Sequence, residues 1–131
     1  MTRGRAILVA ALAAAAALSA SGLSPGAAPA HSLLVRSEPG RNVAVTRAPE
    51  RVRLWFSEQI EPAYAKLSVW SEAGKQVDAG DAAIDSNDPT LLSVSTPSLG
   101  PGRYTARFRV LSVDGHVVES SFAFTVKAAA R

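Results

Sequence analysis

The sequence predicts an all-β domain, a small Greek-key barrel or sandwich of two sheets. Three observations carry this. Four short stretches alternate apolar and polar residues, clusters of turn-forming residues separate them, and no stretch has a convincing helical period. The chain has 131 residues, which suits one domain with one core and is too short for two.

The elements follow in chain order. "RVRLWF" (51–56) sets Val52, Leu54 and Phe56 on one face, and "AKLSVW" (65–70) does the same with Leu67 and Val69. "RYTARFRV" (103–110) puts Tyr104, Ala106, Phe108 and Val110 on one side and Arg103, Arg107 and Arg109 on the other. "SSFAFTV" (120–126) offers Phe122, Phe124 and Val126. Successive side chains of a strand point to opposite faces, so each stretch reads as half-buried. Trp55 and Trp70 fall opposite the main apolar sets and read as structural filling. Turn chemistry lies at "SEPG" (37–40), "RAPE" (47–50), "EAGK" (72–75), "SNDP" (86–89) and "LGPG" (99–102). Residues 79–90 are the least regular and read as a loop. "LGPGRY" sets Tyr104 just past a tight turn at a strand start, the pattern of a tyrosine corner.

The two ends read differently. Arg3 and Arg5 precede an uncharged apolar run, "AILVAALAAAAAL" (6–18), and a Ser/Gly/Pro-rich stretch ends in "APA" (28–30). A basic start, a short apolar run and an A-x-A site describe a secretory signal peptide over residues 1–30. The run is shorter than the ~20 residues a spanning helix needs. The domain then occupies 31–127, with a frayed tail at 128–131. The expected location is outside the cytoplasm, periplasmic in a two-membrane bacterium. There are no cysteines, so the core alone must hold the fold, and thiolate sites, disulfides and cysteine nucleophiles are excluded. The formal charge is +3 over the whole chain. Arg3 and Arg5 leave with the signal, so the mature part is close to neutral. It has no basic-aromatic stripe, and nucleic acid is excluded as a partner.

Cleavage after Ala30 makes His31 the first residue. Its free amine and imidazole can then grip one metal ion together, with little chain entropy lost in closing the chelate. Their ordinary pKa values, about 7.7–8.0 and 6.5, leave both accessible as neutral donors near neutral pH. The only other histidine, His116, lies in "SVDGHVV" (112–118), two residues past Asp114. In an extended segment residues i and i+2 share a face, so one carboxylate and one imidazole point together. Asp-Gly is equally a hairpin signal, and a turn here is the other reading. Two imidazoles, an amine and a carboxylate in a plane suit Cu(II). Closed into a tetrahedron, the same atoms suit Zn(II).

"HSLLVRSEPG", "RLWFSEQIEP", "LGPGRYTARFRVLSVDGH" and "FAFTV" together resemble the bacterial CopC/PcoC copper-resistance family, in order and over about the whole mature chain. The resemblance implies a cupredoxin-like, immunoglobulin-like Greek-key fold in the periplasm. It implies one Cu(II) held by His31, with its amine, and by Asp114 and His116. Glu58, in "FSEQIEP", matches an acidic position near the copper and is expected to support an imidazole from behind. A membrane copper transporter of the CopD type is the implied partner, with the protein a monomer. Some members carry a Met-rich loop for Cu(I). Met1 is the only methionine here, so no Cu(I) site is expected. The expected function is sequestering or carrying copper, without catalysis. Two other classes stand against it, a copper-dependent oxidative enzyme using an N-terminal histidine and a metal-free interaction module. Few aromatics and an equatorial aspartate speak against the enzyme.

Overall fold

A computed structural model describes residues 33–128. The predicted signal peptide, His31 and the last three residues of the predicted tail lie outside them. Eight strands form two sheets: β1 (Leu34–Glu38), β2 (Ala44–Val45), β3 (Arg51–Phe56), β4 (Lys66–Ser71), β5 (Ala83–Asp85), β6 (Asp88–Ser95), β7 (Gly102–Leu111) and β8 (Val117–Val126). One sheet has the order β1-β3-β6-β5 and the other β2-β8-β7-β4. Pairing is antiparallel except where β2 runs parallel to the end of β8. A single 3₁₀ turn, Pro62–Tyr64, precedes β4. The architecture is the all-β sandwich that the alternation predicts.

The inward residues of both sheets form one core. Val52, Leu54 and Phe56 of β3 and Leu92 and Val94 of β6 face Leu67, Val69, Ala106, Phe108 and Phe124 of the second sheet. Phe56 meets Phe108 edge-on, with ring centroids 5.7 Å apart, and Tyr104 stacks on Phe124 at 5.6 Å. Aromatic pairs in these geometries add to their area burial. The Tyr104 hydroxyl donates to the Gly100 carbonyl at 2.7 Å, which pins the chain where it enters β7. Trp55 and Trp70 are half-buried on the two outer faces, beneath the guanidinium groups of Arg36 and Arg107 at 4.5 and 5.1 Å.

Two expectations need correction. Residues 79–90 are not a loop throughout: they hold β5 and the start of β6. Pro89 argued against a strand there, because proline cannot donate to a ladder. It lies beyond the β3–β6 pairing, which ends at Trp55–Leu91, and at the irregularity between β5 and β6, so no ladder bond is lost. The "SNDP" turn shortens to Ser86–Asn87, capped by the Asp85 carboxylate, which accepts from the Asn87 N–H at 2.9 Å. "SEPG" likewise overlaps β1, which runs to Glu38. The reversal follows at Arg41–Asn42, where Asn42 takes φ 56°, a conformation asparagine tolerates.

The free edge of β4 is closed by its own chain. The Asp78 carboxylate accepts from the Val69 N–H at 2.8 Å, and the Val77 N–H donates to the Val69 carbonyl at 2.8 Å. An unpaired edge invites pairing with another molecule, and this contact removes the opening.

Tyr104→Phe is expected to cost about 1 kcal/mol in urea unfolding with an unchanged m-value, the net worth of one hydrogen bond whose acceptor can turn to water. Leu54→Ala, which opens a cavity between the sheets, is expected to cost about 2–5 kcal/mol in the same measurement.

Candidate metal centre

β7 and β8 run side by side until Leu111 faces Val117. The five residues between them, Ser112–His116, reverse the chain. The Ser112 N–H donates to the His116 carbonyl at 2.9 Å, and the Gly115 N–H donates to the Ser112 carbonyl at 2.9 Å. Gly115 has φ 95°, which a residue with a Cβ rarely adopts. The segment is therefore a turn and not an extended strand. Asp114 and His116 still meet, for a different reason from the alternation argument. The left-handed glycine folds His116 back onto Asp114. The Asp114 Oδ1 accepts from the His116 backbone N–H at 3.3 Å and faces the His116 Nδ1 at 2.9 Å.

Ser112 holds this arrangement and was not singled out from the sequence. It is buried, and its hydroxyl donates to the Asp114 carboxylate while its Oγ accepts from the His116 N–H at 3.2 Å. A serine two residues before an aspartate in a turn is the local pattern that could have revealed it.

The bonds to Ser112 first, then to His116, hold the Asp114 carboxyl well below the usual carboxylate range. In return the Asp114 carboxylate raises the His116 imidazole above its ordinary value. An ionised carboxylate only accepts, so Nδ1 carries the proton on the line between them and Nε2 keeps its lone pair.

Glu58 lies in the loop after β3, half-buried. Its carboxyl is pushed up, first by its interaction with Asp114 and then by burial, while His116 opposes the shift. Glu58 thus stands near both Asp114 and His116, and two neighbouring carboxylates cannot both ionise freely.

The loop carrying Glu58 is laced to three other segments. The Ser57 N–H donates to the Leu33 carbonyl at 2.6 Å, the Ile60 N–H to Pro89 at 3.1 Å, and the Glu61 N–H to Leu111 at 2.8 Å. The Val113 N–H donates to Gln59 at 3.0 Å, and Ile60 bridges Ser112. The described chain thus starts against this loop, and the loop in turn supports the Asp114 turn.

Asp114 and His116 offer one oxygen and one nitrogen at an exposed end of the sandwich. The 2.9 Å contact between them is a hydrogen bond that occupies Nδ1, so the His116 nitrogen free to meet a metal is Nε2. Among the described residues no group of three His, Cys, Asp or Glu side chains is arranged to hold a metal. The pair alone supplies two side-chain donors. His31 itself lies outside them. No helix among the described residues is long and apolar enough to cross a membrane.

Similarity to known proteins agrees with this architecture. Protein YobA of Escherichia coli K12 is 33% identical over 99 residues, covering 75% of this chain and 80% of that protein. Copper resistance protein C of Xanthomonas campestris pv. juglandis is 32% identical over 114 residues, covering 82% and 89%. The crystal structure of CopC from Methylosinus trichosporium OB3b superposes with a TM-score of 0.70 at 38% identity, covering 77% of this chain and 98% of that one. The CopC domain model matches residues 34–127, the whole sandwich from the first residue of β1 to just past β8, and the chain belongs to the CopC domain family.

Proposed function

We propose that the protein binds one Cu(II) ion as cargo, outside the cytoplasm, and sequesters or carries it without catalysing a reaction on it. His31 would contribute its imidazole and, after removal of residues 1–30, its amine. Asp114 and His116 would complete the shell, with Glu58 behind Asp114. The observation that carries this reading is the Asp114–His116 pair, 2.9 Å apart on a rigid turn. It is backed by the loop that also holds Leu33. Leu33 lies two positions after His31, and two residue steps of extended chain span up to about 7 Å. Copper enters through the names of the relatives, copper resistance protein C and CopC, and through the donor set, rich in nitrogen and lacking thiolate.

Met1 is the only methionine and would be lost with the signal, so the proposal is limited to Cu(II). We place the protein in the periplasm as a monomer that exchanges copper with a membrane transporter of the CopD type.

The direct test is titration of exported, processed protein against a Cu(II) chelator of known affinity. Tight binding of one equivalent is expected. One extra residue before His31 should weaken it by orders of magnitude, because the amine is displaced from the chelate. Equal affinity in the extended protein would remove His31 from the site. Binding should fall as pH drops from about 7 toward about 4, since protons compete for the amine and imidazoles. In the copper-free protein, Asp114→Asn should lower the pKa of His116 in an NMR titration. The carboxylate stabilises the imidazolium, and its loss returns the ring toward its ordinary value of about 6.5.

A further inference from the structure

The outward arginines of β7 take no part in the core or in the candidate metal centre. On the outer face of the β2-β8-β7-β4 sheet, Lys66 stands opposite Arg109 and Ser68 opposite Arg107. Arg107 also faces Ser121, Arg109 faces Glu119, and Arg103 faces Thr125. Four cations and one carboxylate therefore share this face. Arg109 contacts Glu119 at 3.4 Å. Among the described residues no carboxylate lies within ion-pair distance of Lys66, Arg103 or Arg107.

The other outer face is also rich in arginine, but more of its charge is answered. Glu38 pairs with both Arg36 and Arg53, and Arg51 donates to the Ser93 hydroxyl at 3.0 Å. Rows of like charge across neighbouring strands are unfavourable. Among the described residues, three strand cations without an ion pair on this face against Arg51 alone on the other make the β2-β8-β7-β4 face the one better suited to an anionic partner.

The shape of the face narrows the choice. A cavity of about 420 Å³ runs over Lys66, Ser68, Arg107, Arg109 and Ser121, with Glu119 as its one carboxylate. A second, of about 510 Å³, is lined by Tyr64, Lys66, Arg109 and Val117. They share Lys66 and Arg109, so they form one trough. Its apolar end carries Tyr64 and Val117, 61% and 56% exposed, and Val117 directly follows His116. The trough thus leads from a cationic floor to the candidate metal centre. Trp70 does not project from it as a lipid anchor would. It lies half-buried under Arg107.

We propose that this trough binds an extended acidic segment of the protein that exchanges copper with this one, its carboxylates over Lys66 and Arg107 and an apolar residue between Tyr64 and Val117. The partner's role rests on the copper reading above, but the binding itself does not. A groove lined by cations fits an extended chain, where side chains alternate between floor and solvent. Opposite charge in a partner speeds encounter and sets its orientation.

The test uses a fluorescein-labelled peptide of Asp, Glu and Gly with a single Leu, and a counterpart with Lys in place of its acids. Binding is read by fluorescence anisotropy at low ionic strength. The acidic peptide is expected to bind and its basic counterpart not to bind. Lys66→Glu with Arg107→Glu should weaken binding by at least about tenfold, and Lys66→Gln with Arg107→Gln should weaken it by less. Arg51→Glu with Arg53→Glu, on the opposite outer face, should leave affinity nearly unchanged. Asp114→Ala with His116→Ala should also leave it unchanged, so failure of the copper reading would not remove the trough. Far-ultraviolet circular dichroism checks that each variant is folded. No binding of the acidic peptide, or equal loss from reversal on either face, would overturn the proposal. Co-sedimentation with vesicles of phosphatidylcholine and phosphatidylglycerol, lost in the Lys66/Arg107 reversal while the peptide fails to bind, would assign the face to lipid and overturn it as well.

Discussion

The register of β7 against β8 constrains everything else in this molecule. Ten residue pairs, from Gly102–Val126 to Leu111–Val117, run without a break. Side chains alternate with period two, so a slip of one residue would exchange the faces of both strands. Tyr104, Phe108 and Phe124 would leave the core, and Arg103, Arg107 and Arg109 would enter it. The same register fixes where the turn begins and therefore which residues sit at its tip. Core packing, the Asp114–His116 pair and the basic face are three outcomes of a single alignment.

The ladder sets the position of the turn, but its internal bonds set its chemistry. Gly115 supplies the backbone conformation, and Ser112 supplies a buried hydroxyl that fixes the carboxylate. Glu58 arrives from the other sheet on a loop bonded to Leu33, Gln59's partner Val113, and Leu111. The exposed donors therefore rest on groups that are bonded or packed. That is what a binding site needs if its ligands are to hold their orientation.

Much of this was legible in the sequence, and the reasons differ by region. β3, β4, β7 and β8 announce themselves because each has one buried and one solvated face, so hydrophobicity alternates. β1, β2 and β5 are short, and β1 is interrupted by an irregularity between Leu34 and Arg36, which breaks the alternation. β6 was hidden by Pro89, whose missing donor matters only where a ladder bond is required. Asp114 and His116 were found by residue type, yet the argument that joined them assumed an extended chain. The structure joins them through a left-handed glycine. Glu58 was singled out by resemblance alone, since three-dimensional neighbours across two sheets leave no spacing in the sequence, and its place beside both Asp114 and His116 comes from the fold. His31 depends on a processing event, and the described residues begin two positions after it.

The lacing of the Ser57–Glu61 loop has a consequence for turnover. That loop ties the beginning of the first sheet to the tip of the second through single backbone hydrogen bonds. A ligand that bridges the start of the chain and the Asp114 turn would close the same circuit from outside, clamping the two layers together. Ligand that binds only the folded form stabilises it by RT ln(1 + [L]/Kd). Opening of this end would then be rarer in the filled molecule than in the empty one. Proteases that cut transiently opened chains would remove empty molecules first. The lifetime of the protein would thus report its occupancy, with no sensor beyond the fold itself.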